Sequence, residues 1–343
     1  MSKIYITEDI KNYKKGLEIL EKIKNYKVIE DEKTFVKMIQ ELKLTNEEEK
    51  KYMLFTTKKG NFLKSYYLDD NLSKIKEEFY LSYENNCPFN CLYCYLRDYF
   101  NHSAFIFYVN LEDMFEEIDK FTKKNTMISA GIVNDTLVHD NLTNITTDLI
   151  EYFKNREELI LELRTKSHNI SNLLEIKPHK NILISFTFSP QEVIDRYELG
   201  ASSLKERVEA AKKLQTHGYS IGLRLDPMIN IENSDIAYQN MIKEIFSTLD
   251  LTKIRDIGIG TIRYKKGLRQ KVLSEVNTDL FYNEFVVGID GKERYFKKIR
   301  IDMYKNIVNS INSYGKFDIY LGMEPQYIWD EVFEKEGKNK WIT

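Results

Sequence analysis

The chain has 343 residues, of which 42% are apolar and 30% charged, and 51 Lys and Arg set against 53 Asp and Glu leave a formal net charge of −2. That balance excludes a protein held to nucleic acid by bulk charge alone, and 5 Pro with 14 Gly exclude a collagenous or Pro-rich chain. No run approaches the ~18 apolar residues of a membrane span, and the opening residues MSKIYITEDIKNYKKG carry no apolar signal core, so a cytoplasmic protein is expected.

Residues 1–75 read as a small α/β unit. Ile4, Tyr5 and Ile6 make a short strand, Ile10, Tyr13, Leu17 and Leu20 recur at helical spacing, and 26–29 can return as a strand. Phe35, Met38, Ile39 and Leu42 mark a second helix, and Thr45 with Glu48 is a capping box for a third. The apolar runs 53–57 and 62–67 flank Lys59-Gly60 and predict a β-hairpin.

Over residues 76–262 strand-like runs alternate with helix-like segments. The predicted strands are 79–83, 126–131, 159–163, 182–187, 220–225 and 257–261, and the predicted helices are 111–121, 143–153, 189–197, 203–214 and 236–249. Repeated βα units imply a parallel sheet with helices outside, and six strands are too few for a complete eight-stranded barrel. Residues 263–343 are expected to form a C-terminal cap. Residues 261–300 hold ten Lys or Arg against five Asp or Glu, and 285–296 read as a β-hairpin turned by Asp290-Gly291.

The three cysteines of the chain, Cys87, Cys91 and Cys94, stand as C-x3-C-x2-C directly after the first predicted barrel strand. An odd, clustered set is not a disulfide framework. A loop beyond the C-terminal end of a parallel strand is where α/β folds place their chemistry. Three thiolates there can converge on one metal centre, and an iron–sulfur cluster held by three cysteines keeps one iron open to another ligand. The alternatives are a Cys3His zinc site completed by His102 or His139, and three unligated buried thiols.

This motif, with an aromatic before its third cysteine and a βα array after it, resembles the radical SAM superfamily. The residues from about 4 to 325 resemble its spore photoproduct lyase family: Cys94-Tyr95-Leu96, Asp135-Thr136-Leu137-Val138-His139-Asp140, Arg164-Thr165-Lys166, Glu198-Leu199-Gly200-Ala201-Ser202-Ser203, Leu223-Arg224-Leu225-Asp226-Pro227 and Gly260-Thr261-Ile262-Arg263-Tyr264 carry the likeness. The resemblance implies an α/β fold, a partial (β/α)6 radical SAM barrel with a small N-terminal α/β unit and a cap bearing a β-hairpin. It implies a [4Fe–4S] cluster on Cys87, Cys91 and Cys94, reductive cleavage of S-adenosylmethionine (SAM) to a 5′-deoxyadenosyl radical, and hydrogen abstraction from substrate, with an external electron donor of the flavodoxin or ferredoxin type.

By the same resemblance Tyr93 lies against the SAM adenine or the cluster edge, Asn134, Lys166 and Thr187 contact SAM, and Tyr95 relays a hydrogen atom. Lys292, Arg294 and Tyr295 of the hairpin meet damaged DNA. The family's hydrogen-donor cysteine falls at Ile132, which cannot serve as such a donor. The substrate is therefore either a thymine-dimer-type lesion or a different molecule. A non-enzymatic metal-binding nucleic-acid module is the reading from another class.

Overall fold

A computed structural model of the chain describes residues 2–66, 78–121 and 126–333. Its central sheet has eight strands. Seven run parallel in chain order: β1 (Glu78–Leu81), β2 (Thr126–Ala130), β3 (Leu159–Thr165), β4 (Ile182–Thr187), β5 (Ser220–Met228), β6 (Ile254–Thr261) and β7 (Ile319–Leu321). Leu63–Tyr66 closes the β1 edge in antiparallel pairing. Parallel neighbours need crossovers, and helices such as Ile145–Phe153, Leu204–His217, Ser234–Thr248 and Lys297–Asn312 supply them. Of these, Leu204–His217 begins at a full capping box, in which Ser203 and Glu206 exchange side-chain and backbone bonds.

Side chains alternate across each strand. Leu161, Leu163, Ile184, Phe186, Leu223 and Ile257 are buried against the apolar core. Residues of the other parity line the concave face, and these include Ser129, Glu162, Ser185, Arg224, Asp256 and Tyr320. Such a face is unusual for a parallel sheet, whose strands normally read as continuous apolar runs. Gly258 makes room for Tyr320 there, since a Cβ would stand 2.5 Å from the ring.

The expected hairpin around Lys59-Gly60 is not formed. Tyr52–Thr56 lies in a separate five-stranded sheet, parallel to Lys3–Ile6 on one edge and Phe105–Tyr108 on the other, whereas Leu63–Tyr66 joins the central sheet. The reason is burial: all five residues of Tyr52–Thr56 are buried, so that strand needs a partner on each edge. Residue 67 of the expected second arm is outside the described residues. Lys27–Val28, beside Lys3–Ile6, and Glu84–Asn85, beside Phe105–Tyr108, complete the five-stranded sheet. The central sheet also gains β7, a three-residue strand that the sequence pattern does not announce. The predicted helix 143–153 breaks at Asn144, whose φ of 52° is left-handed.

The hairpin of the cap is present. Phe285–Val287 pairs with Lys292–Tyr295, Gly291 takes a φ of 72° in the turn, and Arg263–Lys265 adds a third antiparallel strand. Among the described residues no helix is long and apolar enough to cross a membrane.

Candidate active site

The loops beyond the C-terminal ends of β1 to β6 meet at one mouth of the half-barrel. Beyond β1 runs the cysteine loop. It is pinned from two sides. Asn90–Cys91 forms a two-residue antiparallel ladder with Glu198–Leu199, and the Leu92 amide donates to the Tyr197 carbonyl at 2.8 Å. Lys50 Nζ donates to the carbonyls of Cys87 at 2.6 Å and Phe89 at 2.5 Å.

Cys91 is buried, and Cys87 and Cys94 are half-buried. Burial pushes the Cys87 thiol well up, with Asp135 adding to it, and pushes Cys91 up to about 12 against the pull of Lys166. The thiols also act on one another electrostatically. Among the described residues no three Cys, His, Asp or Glu side chains already stand at metal-ligand geometry. Neither histidine belongs to the thiol group. His102 faces the Asn86 amide, and the His139 ring lies edge-on to Phe105 at 4.2 Å between centroids. Three soft thiol donors on one sequestered loop, with cations nearby to favour thiolates, fit an iron–sulfur centre better than a zinc site of Cys3His type.

Glu198 organises the wall beside Cys91. It accepts from Tyr93 Oη, from Ser189 Oγ at 2.8 Å and from Arg207 Nη2 at 2.5 Å. Burial opposes its ionisation, but Arg207 and Lys166 overcome that and hold the carboxyl down at about 2. Arg207 is itself wholly buried and donates further to the carbonyls of Ser202 and Thr187. The sequence marks Glu198 only as part of a motif. Its joint role with Arg207 as a buried charged brace was not legible there.

Lys166, just past β3, lies with its ammonium 5.6 Å from the centre of the Tyr93 ring. Desolvation would lower its pKa, but Glu198 and Cys91 raise it, so it stays charged. Among the described residues its ammonium has neither an ion-pair nor a hydrogen-bond partner. Thr187 ends β4 with its hydroxyl likewise unpartnered among the described residues. Tyr95 donates to the Ile132 carbonyl at 2.6 Å and meets Tyr99 edge-on at 5.6 Å. Desolvation of its hydroxyl, with Cys94 beside it, drives the phenol well above the usual range, although 41% of the residue as a whole is exposed.

Asn134 departs from expectation. Its two amide hydrogens go to Tyr83 Oη at 3.0 Å and to Glu84, and its carbonyl accepts from the Gly131 amide at 3.1 Å. Both donors are consumed, so the side chain clamps the loop after β2 and is not free to donate to a ligand. The hairpin differs too. Tyr295 is fully buried, with its hydroxyl accepting from the Asn230 amide at 3.0 Å, and Arg294 is buried against Asp290. Neither projects toward a ligand. Lys292 and Lys265 are the cations of this sheet without an ion pair among the described residues, and they face one another directly across the strands.

Two further charged groups were missed. Arg263 makes a two-pronged bond to Asp226 at 3.1 and 3.0 Å, joining the end of β5 to the hairpin sheet. On the floor of the concave face Glu162 accepts from Ser129, Ser185, Arg164 and Arg224 at 2.5–2.9 Å. An alternating strand pattern hides both, because the polar partners come from different strands.

The family model described as spore photoproduct lyase matches residues 1–311. The chain is 26% identical over 276 residues to the spore photoproduct lyase of Bacillus subtilis (strain 168), covering 79% of this chain and 78% of that one. It is 26% identical over 259 residues to the enzyme of the same name from Clostridium acetobutylicum, covering 72% and 77%. Among solved structures, spore photoproduct lyase complexed with dinucleoside spore photoproduct superposes with a TM-score of 0.80 at 19% identity, covering 94% of this chain and 99% of that one. A mutant of that enzyme with bound AdoMet and dinucleoside spore photoproduct gives 0.77 at 18%, with the same coverage.

Proposed function

Since the chain belongs to the spore photoproduct lyase family, we propose that it is a radical SAM enzyme that repairs a thymine-dimer-type photoproduct in DNA. The observation that carries this reading is the meeting, in one barrel mouth, of three thiols on one loop with an ammonium, that of Lys166, that has no ion pair or hydrogen bond among the described residues, and a phenol, that of Tyr95. In this reading Cys87, Cys91 and Cys94 hold a [4Fe–4S] cluster and leave one iron for SAM. When bound, the pair supplies one electron from the cluster and the 5′-deoxyadenosyl group that removes a hydrogen atom from substrate.

The chain's own residues bind and orient. Lys166 neutralises the SAM carboxylate, Thr187 offers a hydroxyl to it, and Tyr93, fixed by Glu198, gives a flat face beside the thiols. Asn134 acts indirectly by holding the loop after β2. At Ile132 there is no thiol to return a hydrogen atom, and the phenol of Tyr95 is the hydrogen-bearing group bonded to that residue. We therefore assign that role to Tyr95. Lys265 and Lys292 oppose like charge to like charge across two strands, which costs stability unless an anion lies between them. The phosphodiester backbone of DNA is that anion. The protein works in the cytoplasm with a flavodoxin- or ferredoxin-type donor.

The test is turnover of a lesion-bearing oligonucleotide, read after digestion to nucleosides by liquid chromatography and mass spectrometry as thymidine in place of the linked dinucleoside. Lys265→Glu with Lys292→Glu should weaken oligonucleotide binding and flatten its log–log salt slope by about 1–2. Turnover of a phosphate-free dinucleoside lesion should be unaffected. Ile132 is the observation that favours a second reading, a radical SAM enzyme with a non-lesion substrate. SAM cleavage without lesion turnover would select it.

A further inference from the structure

Arg97 lies in the four-residue helix Leu96–Tyr99 that opens directly after Cys94, and only 3% of its side chain is exposed. A buried guanidinium needs acceptors for its five donors, and the set it finds is specific. Nε donates to the Cys91 carbonyl at 3.0 Å, and Nη2 donates to the Asn90 carbonyl at 3.3 Å and to Asn90 Oδ1 at 2.5 Å. Nη1 pairs with Glu275 at 2.6 Å. The Arg97 carbonyl in turn accepts from Lys271 Nζ.

Lys271 and Glu275 stand one turn apart on the helix Leu268–Glu275, which follows the hairpin-sheet strand Arg263–Lys265 after the single turn at Gly267. Two side chains of that helix thus grip one residue of the cysteine loop. We infer that Arg97 is a positioning residue that sets the cysteine loop and ties it, through Glu275, to the hairpin side of the cap. The inference rests on the iron–sulfur reading only for its effect on the cluster. Its effect on the thiols stands without it.

Two properties separate. The fork geometry holds the Asn90 and Cys91 carbonyls, whereas the charge acts at a distance on whatever the thiols bind. In metal-free, full-length protein, Arg97→Lys should raise the rate of Cys91 alkylation by iodoacetamide about tenfold, and Glu275→Gln by about threefold. Reconstituted protein should show a more negative cluster midpoint potential in Arg97→Gln, restored in Arg97→Lys, because a nearby cation favours the reduced cluster. Wild-type alkylation rates in both Arg97→Lys and Glu275→Gln would overturn the inference, and Glu275→Gln alone decides it if the Arg97 variants do not fold. A wild-type protein that takes up no iron and sulfide would sink the iron–sulfur reading instead, leaving the alkylation result to stand by itself.

Discussion

Replacing Glu198 with Gln preserves shape and removes one buried charge. In the folded chain Arg207 and Lys166 hold this carboxyl at about 2, against an ordinary value of 4.5. A displacement of that size corresponds to ~3 kcal/mol of stability at neutral pH. The independent expectation for breaking a buried ion pair from one side is about 3–5 kcal/mol, since Arg207 keeps its charge without its carboxylate. Because the folded value lies below the unfolded one, the contribution is full above ~4.5 and drains away as pH falls toward the folded value. Urea unfolding of wild type and Glu198→Gln, followed by circular dichroism from pH 7 to pH 4, should show a gap of ~3 kcal/mol that begins to narrow below pH 4.5. Glu198→Gln combined with Arg207→Met should recover much of the loss. A gap below ~1 kcal/mol, or one that does not change with pH, would refute the brace.

Lys166→Met should weaken SAM binding to the reconstituted protein by about 10–100-fold, measured by anaerobic equilibrium dialysis, because a charge-assisted bond to a carboxylate is lost. Asn134→Ala should lower stability by about 1–3 kcal/mol in urea, leaving the Tyr83 hydroxyl and the Glu84 carboxyl short of a partner, and should leave SAM affinity per folded molecule nearly intact. Gly131→Ala should be among the harsher single changes. Its φ is 91° and a Cβ would stand 2.4 Å from the Arg164 carbonyl oxygen, so a loss of at least ~1–3 kcal/mol is expected in the same assay.

How far the sequence could be read depended on how local each feature is. Ile182–Thr187 is a largely apolar run interrupted only by Ser185 and closed by Thr187, and the strand occupies the expected positions. The capping box at Thr45 is complete within four residues and is present in full. The alternation of strands and helices similarly announced the half-barrel. Pairing is not local. Tyr52–Thr56 looks the same as one arm of a hairpin or as the centre of another sheet, and only its burial on both faces decides. β7 has three residues and no pattern to recognise.

The site divides along the same line. The three cysteines, Tyr93 and Tyr95 lie within one loop, and Lys166 and Thr187 at strand ends, where position alone marks them. Asn134 was legible as a polar residue after β2, but its partners Tyr83 and Glu84 come from some fifty residues earlier in the chain. The hairpin was legible as a hairpin. Which of its side chains stay unpaired is set by Asp290 and Asn230, which engage Arg294 and Tyr295, while Lys265 and Lys292 have no ion pair among the described residues.

The most direct measurement is SAM cleavage by protein reconstituted with iron and sulfide without oxygen and reduced with dithionite, with 5′-deoxyadenosine quantified by chromatography. The account requires 5′-deoxyadenosine from wild type, and none from variants in which any of Cys87, Cys91 or Cys94 is replaced by Ala. A fully loaded [4Fe–4S] protein that leaves SAM intact, or cleavage that survives loss of one of these thiols, would contradict it.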